Sequence, residues 1–283
     1  MKITDINIRD PYVLFENNKY YLYGTRAKDF GCKTGGFDVY TSDNLVDWSN
    51  PSECFASAQY GLNKEVNWAP EVHKYNGAYY MFATFTKENG LRGTFVLKAN
   101  SPRGPFAPHS KKALTPDEWE CLDGTLYIDK NGNPYLVFCH EHTQITDGAM
   151  CYVRLSDDLS EARSEPVTMF RASSPYYIEE KPEGEHYITD GPFMYRTRNG
   201  ELLMIWSTFI HHQYAQCLAK SDNGEIDGEF IHLPPLITDD GGHGMLFNGK
   251  EGLMLTFHTP NQTDYERPTF RRIRDTGSSI EIV

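Results

Sequence analysis

Arg9-Asp10-Pro11-Tyr12-Val13-Leu14 is the first of five similar segments in this chain. Each segment passes from a short polar turn into an apolar run, and a second apolar run follows it, as at Tyr20-Tyr21-Leu22-Tyr23. Units that contain only strands and recur every few tens of residues indicate a β-propeller, in which each unit forms one blade. We therefore predict an all-β chain whose residues 1–283 form a single five-bladed β-propeller. The other four segments are Trp68-Ala69-Pro70-Glu71-Val72-His73, Leu122-Asp123-Gly124-Thr125-Leu126-Tyr127, Thr189-Asp190-Gly191-Pro192-Phe193-Met194 and Gly242-His243-Gly244-Met245-Leu246-Phe247.

The turns and later strands of each unit support this interpretation. Asn-Gly pairs separate the first two apolar runs in four units, and both residues of such a pair tolerate the positive φ of a tight hairpin. The last unit has few residues after its second run. We expect its blade to be closed by a strand from the N-terminus or from residues 270–283, either of which would cover the sheet edges. The Asn-Gly pairs are Asn76-Gly77, Asn131-Gly132, Asn199-Gly200 and Asn248-Gly249.

Composition narrows the possible partners. The net charge of −12 argues against nucleic acid, whose binding requires lysine and arginine opposite the phosphates. The sequence contains no run of 18 apolar residues, so we expect no transmembrane helix. The six cysteines lack Cys-x-x-Cys spacing, so we expect buried thiols in a reducing compartment. As it stands the sequence predicts a cytoplasmic protein, or a secreted or periplasmic one if a leader has been removed. It carries no information on protein partners.

Equivalent positions on successive blades converge on the axis of a propeller. We align the second position of the repeated phrase as Asp10, Ala69, Asp123, Asp190 and His243. Asp-Pro and Asp-Gly also form good turns, so each aspartate alone would more simply be a turn residue. Their recurrence in phase, next to different apolar strands, favours a shared site. We expect three carboxyl groups and one imidazole at one end of the channel, as in an active site.

Paired carboxyl groups on either side of a glycosidic bond are what sugar hydrolysis needs. One, protonated, donates to the leaving oxygen, while the other, ionised, activates water or attacks the sugar. A separation of about 6.5 to 9.5 Å leaves room for the water and gives inversion. A third carboxylate nearby raises the pKa of the acid by repulsion between like charges. Three aspartates on separate blades therefore favour an inverting glycosidase.

The triplets Arg9-Asp10-Pro11, Trp68-Ala69-Pro70, Leu122-Asp123-Gly124 and Gly242-His243-Gly244 resemble those of glycoside hydrolase family 43. The resemblance covers essentially the whole chain. It implies a five-bladed propeller that hydrolyses arabinose- or xylose-containing oligosaccharides or polysaccharides with inversion. It also implies that Asp10 is the general base and that Asp123 modulates the pKa of the acid and orients it. His243 would lie in the channel beside a calcium ion or a water molecule, and no organic cofactor is expected.

One position departs from the family pattern. The fourth-blade motif of the family reads Glu-Gly-Pro, with the glutamate as general acid, whereas this chain has Asp190-Gly191-Pro192. Aspartate is one methylene shorter, but its place in the repeat makes Asp190 our candidate acid. Glu71 and Glu141 are the alternatives. We also expect Trp68 to stack on a sugar and Arg267 to reach the channel mouth, although blade packing and a surface ion pair explain such residues equally well.

Other functions fit part of the pattern. A non-hydrolytic carbohydrate-binding propeller would follow if the exchange of glutamate for aspartate has abolished activity. A glycoside phosphorylase would need a cluster of basic side chains to hold phosphate. Arg9, His243 and Arg267 are the only obvious candidates for that cluster in the sequence, so this alternative ranks lowest. Assays with and without phosphate would separate the three hypotheses.

Overall fold

A computed structural model of the chain describes residues 1–27, 35–62, 66–178 and 186–283. It shows five four-stranded antiparallel sheets arranged in a ring. The prediction of an all-β, five-bladed propeller is confirmed. The blades comprise β1 (Ile8–Glu16), β2 (Lys19–Arg26), β3 (Phe37–Ser42) and β4 (Ser52–Phe55); β5 (Asn67–Tyr75), β6 (Ala78–Thr86), β7 (Arg92–Ala99) and β8 (Ala107–Pro108); β9 (Cys121–Ile128), β10 (Pro134–His140), β11 (Ala149–Arg154) and β12 (Val167–Arg171); β13 (Asp190–Arg196), β14 (Leu202–Ile210), β15 (Gln213–Ser221) and β16 (Phe230–Ile237); and β17 (Gly242–Gly249), β18 (Gly252–Thr259), β19 (Arg267–Asp275) and β20 (Ile280–Ile282).

The core lies between neighbouring blades rather than within one layer. Central strands of each sheet are buried on both faces, so their sequences are nearly continuous apolar runs. Between the first two blades, Phe85 packs edge-on against Phe37 and Phe55, with ring centroids 5.9 and 5.7 Å apart. Such aromatic contacts bury large areas in favoured geometries. The large content of tyrosine and phenylalanine is thereby explained.

The ring is closed by side-chain packing between the last and first blades. The sequence allowed the last blade to be completed either by the N-terminus or by residues 270–283. The structure uses residues 270–283, because β20 pairs with β19 and completes that sheet. Across the closure Trp48 stacks on Phe270 at 6.2 Å, and the Lys250 N–H donates to the Tyr20 hydroxyl at 2.8 Å. No edge strand is exchanged among the described residues.

One predicted turn is displaced. β17 continues through Asn248-Gly249, and β18 begins at Gly252, so residues 250 and 251 form the turn. Gly252, with φ of +93°, supplies the left-handed conformation that we had assigned to Asn248-Gly249. The Asn76-Gly77 turn is confirmed, with φ of +45° and +79°.

Helical structure is slight, and the described cysteines are buried. Within the described ranges, the helices are a four-residue α-helix, α1 (His142–Ile145), and the 3-10 turns Ile3–Asp5 and Ser57–Tyr60. None of these is long or apolar enough to span a membrane. The described cysteines are free and buried, as expected, and Cys32 lies outside the described residues.

Candidate active site

The inner strand of each blade carries an irregularity at the start of its repeated segment. Strand pairing shifts register between Arg9 and Tyr12 in β1, and at the corresponding places in the other inner strands. Within each irregularity one residue adopts a left-handed backbone, which is unusual for side chains other than glycine and is typical of bulges at functional sites. These residues are Asp10 (φ 54°), Ala69 (46°), Asp123 (56°), Gly191 (47°) and His243 (51°).

The alignment of the fourth blade therefore needs a correction. Gly191, not Asp190, is the equivalent of Asp10, Asp123 and His243. Asp190 pairs with Ser207 in the next strand, as Arg9 pairs with Thr25, so it occupies the first position of the triplet. We misassigned it because the glycine gives no side-chain signal in the sequence. Asp190 nevertheless reaches the cleft, from the position before the bulge.

A cleft at this end of the channel brings the predicted aspartates together. The side chain of His243 joins two of them, with Nδ1 3.1 Å from Asp10 Oδ1 and 3.7 Å from Asp123 Oδ2. Both carboxyl groups therefore lie within 4 Å of one nitrogen, and Asp190 lines the same cleft. The lining residues are Arg9, Asp10, Trp68, Arg92, Leu122, Asp123, Glu141, His142, Ile188, Asp190 and His243.

Asp10 is held as a carboxylate. Its Oδ2 accepts a 2.6 Å hydrogen bond from the Thr25 hydroxyl, and Arg9 Nε lies 3.5 Å from Oδ1. Burial opposes ionisation, but the charges of His243 and Arg9 and the Thr25 hydrogen bond outweigh it and lower the pKa of Asp10 to about 2. Asp10 is therefore negatively charged at neutral pH and can accept a proton.

The other two aspartates have the opposite tendency. Burial and the negative charge of Asp10 raise the pKa of Asp123, whose Oδ2 accepts the Gly191 N–H at 3.1 Å. Asp190 accepts a 3.0 Å hydrogen bond from the Tyr214 hydroxyl. Burial and the charge of Asp123 raise the pKa of Asp190 to about 7. A carboxyl group that keeps its proton near neutral pH is able to donate it.

Glu141 is committed to other partners. Its carboxylate lies 2.7 Å from Arg92 Nη2 and 3.2 Å from the Thr143 hydroxyl, and the residue is 3% exposed. His142 Nε2 lies a further 3.3 Å away. Arg92 and the Thr143 hydroxyl donate to the carboxylate, so Glu141 lines the cleft as an acceptor rather than as a free proton donor.

Three other expected residues have different surroundings. Trp68 lines the cleft, and the guanidinium of Arg92 lies 5.1 Å from the centroid of its ring. Glu71 is absent from the lining, and its Oε2 lies 3.0 Å from His73 Nε2. Arg267 is also outside the cleft, because its guanidinium donates to the carbonyls of Thr4 and Glu266 at 2.8 and 2.7 Å. A role for Arg267 at the channel mouth stays a prediction.

Several residues of the site were missed from sequence. Arg92, at the start of a third strand, and Tyr214, at the start of another, lie far from the repeated phrase. His258 accepts the Asp10 N–H at Nδ1, 3.1 Å away. A signal for His258 was present in the sequence, since it stands at the end of a second apolar run, as Thr25, Thr84 and Ser207 do. Arg92 and Tyr214 have no comparable signal in this sequence.

Calcium near His243 stays a prediction. In the part of the chain that the structure describes, no three His, Cys, Asp or Glu side chains are grouped to hold a metal ion. Calcium takes six to eight oxygen ligands, and the Nδ1 of His243 already faces Asp10. Water would have to supply most of the ligands, so the side chains alone do not form a calcium site.

The fold and cleft together define a propeller whose channel carries carboxyl groups of opposite protonation preference. A family model described as "Glycosyl hydrolases family 43" matches residues 3–274. The chain belongs to glycosyl hydrolase family 43.

Relatives and solved structures agree with this assignment. A crystal structure of an endo-arabinase from Bacteroides thetaiotaomicron is 36% identical, with a TM-score of 0.87 and coverage of 95% of each chain. An extracellular endo-α-(1→5)-L-arabinanase from Bacillus subtilis is 23% identical over 46% of this chain and 42% of its own length. A probable arabinan endo-1,5-α-L-arabinosidase from Emericella nidulans is 28% identical over 47% of this chain and 38% of its own. The alignments thus span less than half of these two curated relatives.

Proposed function

We propose that this protein is an inverting glycosidase that cleaves arabinofuranosyl linkages in arabinan or related oligosaccharides. The observation that carries the proposal is the grouping of Asp10, Asp123 and Asp190 in one cleft, with His243 Nδ1 3.1 Å from Asp10 and 3.7 Å from Asp123. The surroundings lower the pKa of Asp10 to about 2 and raise that of Asp190 to about 7. Environments that push the pKa values of two carboxyl groups apart define an acid and a base. Arabinan is proposed as the substrate because the endo-arabinase structure is 36% identical over 95% of the chain and the two curated relatives compared above also carry arabinan-related names.

The proposed reaction uses these two groups on a bound glycoside. Asp10 takes a proton from a water molecule as the water oxygen bonds to the anomeric carbon. The bond from that carbon to the leaving oxygen breaks, and Asp190 gives its proton to that oxygen. Burial is the main cause that keeps Asp190 protonated, and Asp123 fixes the adjoining backbone by accepting the Gly191 N–H at 3.1 Å.

The shorter side chain of Asp190 is compatible with this role. The Tyr214 hydroxyl, 3.0 Å from Asp190 Oδ2, holds one carboxyl oxygen at the cleft wall. The competing donors are less suitable, because Glu141 is paired with Arg92 and Glu71 lies outside the lining. These contacts support Asp190 as the acid.

The test is a comparison of substrates with and without phosphate. We expect release of arabinose or arabino-oligosaccharides from linear arabinan in phosphate-free buffer, with the inverted anomer appearing first by NMR. Xylo- and galactofurano-oligosaccharides are the specificity controls. Binding without cleavage would identify a carbohydrate-binding propeller, and cleavage that requires phosphate would identify a phosphorylase. Either result would refute the proposal.

A further inference from the structure

A hydrogen bond between neighbouring blades recurs around the channel. In each case the acceptor lies on the second strand of a blade, opposite the residue that precedes the left-handed one, as Thr25 lies opposite Arg9. Its side chain accepts the backbone N–H of the left-handed residue in the next blade. Each such bulge is thus fixed by the blade before it. Three of these acceptors are hydroxyls: Thr25 for Ala69 at 2.7 Å, Thr84 for Asp123 at 3.0 Å and Ser207 for His243 at 2.7 Å.

The corresponding residue of the last blade is His258. It pairs with Gly242 across the strands, and its Nδ1 accepts the N–H of Asp10 at 3.1 Å. An imidazole therefore replaces a hydroxyl at the one bulge that carries the proposed base. The bulge of Asp10 is therefore held by a ring nitrogen rather than by a hydroxyl oxygen.

The partners of His258 fix its tautomer. The Asp10 N–H can only donate, so Nδ1 must be the unprotonated nitrogen. Nε2 lies 3.1 Å from Asn261 Oδ1, which also accepts from Arg9 Nη2 at 3.2 Å. A guanidinium only donates, so the Asn261 atom that faces both Arg9 and His258 must be the amide oxygen. Because that oxygen only accepts, His258 Nε2 must carry the proton. The ring is thus held by one acceptor contact and one donor contact.

This tautomer suits a group beside a proton acceptor. His258 is fully buried, and its Nδ1 lies 3.7 Å from Asp10 Oδ1. An unprotonated nitrogen fixes the Asp10 backbone without giving a proton to the carboxylate. Burial also lowers the pKa of His258 to about 3, so the ring stays neutral in the neutral pH range. Thr25, His243 and Arg9 remain the groups that hold the Asp10 carboxylate itself.

The contact also ties the end of the chain to its beginning. Asn261 and Glu266 lie on the connection between β18 and β19 in the last blade, whereas Arg9 and Asp10 lie in the first. Arg9 Nη1 is 3.4 Å from Glu266 Oε1, and the Glu266 side chain is fully buried. The His258–Asn261–Arg9 contacts thus set the position of the first inner strand against the last blade.

We propose that His258, held as the Nε2-protonated tautomer by Asn261, is a positioning residue for Asp10. It fixes the left-handed backbone from which the carboxylate projects into the cleft. The proposal rests on the proposed function, in which Asp10 is the base. Geometric errors of about 1 Å at a reacting group can cost roughly a hundredfold in rate.

Three substitutions separate positioning from packing. His258→Asn places an amide oxygen near the position of Nδ1, and His258→Thr gives the residue that the chain itself uses in the first two blades. His258→Leu fills similar space without an acceptor. We expect kcat on linear arabinan to stay within about threefold for the first two and to fall by about tenfold or more for His258→Leu, with KM nearly constant.

A second readout does not depend on activity. In 15N-labelled protein, hydrogen exchange of the Asp10 amide should be slow in the wild type, His258→Asn and His258→Thr, and faster in His258→Leu. Unfolding midpoints of all four proteins control for global loss of stability. The proposal is overturned if the three variants lose activity equally, or if the Asp10 amide of His258→Leu stays as protected as in the wild type. A wild type that cleaves no glycan would reject the proposed function, while amide exchange would still decide the role of His258.

Discussion

Replacing Asp190 by asparagine tests the acid assignment most directly. With a pKa of about 7, Asp190 is roughly 90% protonated at pH 6, whereas an aspartate at its ordinary value of 3.8 would be below about 1%. Asparagine keeps the shape of the side chain but has no transferable proton. General acid catalysis typically contributes about 10² to 10⁴ in rate, so we expect kcat on linear arabinan to fall by that factor.

The assay compares leaving groups. An aryl arabinofuranoside with a good leaving group needs little protonation, so its hydrolysis by Asp190→Asn should fall by less than about tenfold. The wild type should lose activity on arabinan as pH rises through about 7, because the proton of Asp190 is lost there. The same limb should be absent from the profile of Asp190→Asn on the aryl substrate.

The control variants are Asp190→Glu, which should keep activity and binding, and Glu141→Gln. Glu141 lies in the same cleft but is paired with Arg92 at 2.7 Å, so its loss should not alter the dependence on the leaving group. The reasoning is refuted if Asp190→Asn keeps full activity on arabinan while Glu141→Gln or Glu71→Gln loses it selectively.

Three further predictions concern the base, a close contact and acid stability. Asp10→Asn should reduce hydrolysis of arabinan and of the aryl glycoside alike, and a selective loss would contradict its role as base. Gly191→Ala should lower kcat, because the new Cβ would lie 2.6 Å from His243 Cδ2. The control is Gly200→Ala, where the backbone is also left-handed but the new Cβ would meet no atom within 4 Å. This control should cost only about 1 kcal/mol in the free energy of unfolding. Burial lowers the pKa of His232 to about 4, and its ring nitrogens have no hydrogen-bond partner among the described residues. The unfolded chain therefore binds more protons between pH 6.5 and 4, so the free energy of unfolding falls as pH falls through that window, by about 1 to 2 kcal/mol after solvent screening of this partly exposed ring. His232→Leu should remove this loss in denaturant titrations at pH 7.5 and 4.5, and an unchanged pH dependence would show that His232 is not its source.

The fold could be read from the sequence because the repeat is carried by strand-forming side chains and by turns. Asp10, Asp123 and His243 were found for the same reason, since each has a side chain at the left-handed position of its bulge. Arg92 and Tyr214 could not be found in this way. Arg92 lines the cleft and Tyr214 contacts Asp190, both from third strands, whose register against the inner strands depends on the packing of the whole sheet.

The third blade differs from the others in the hydrogen bond that fixes the bulge beside Asp190. There the position taken elsewhere by Thr25, Thr84, Ser207 or His258 is Cys139, which pairs with Leu122. A thiol is a weak acceptor, and the N–H of Gly191 donates instead to Asp123 Oδ2 at 3.1 Å. In this blade, the hydrogen bond between neighbouring blades is therefore made by the carboxyl group of Asp123 and the N–H of Gly191, the residue after Asp190. Because glycine occupies this bulge, the acid-bearing side chain lies one residue earlier, and Asp123 contacts its backbone directly. Because a weak acceptor stands at position 139, the carboxyl group of Asp123 takes over the task of fixing the chain beside Asp190.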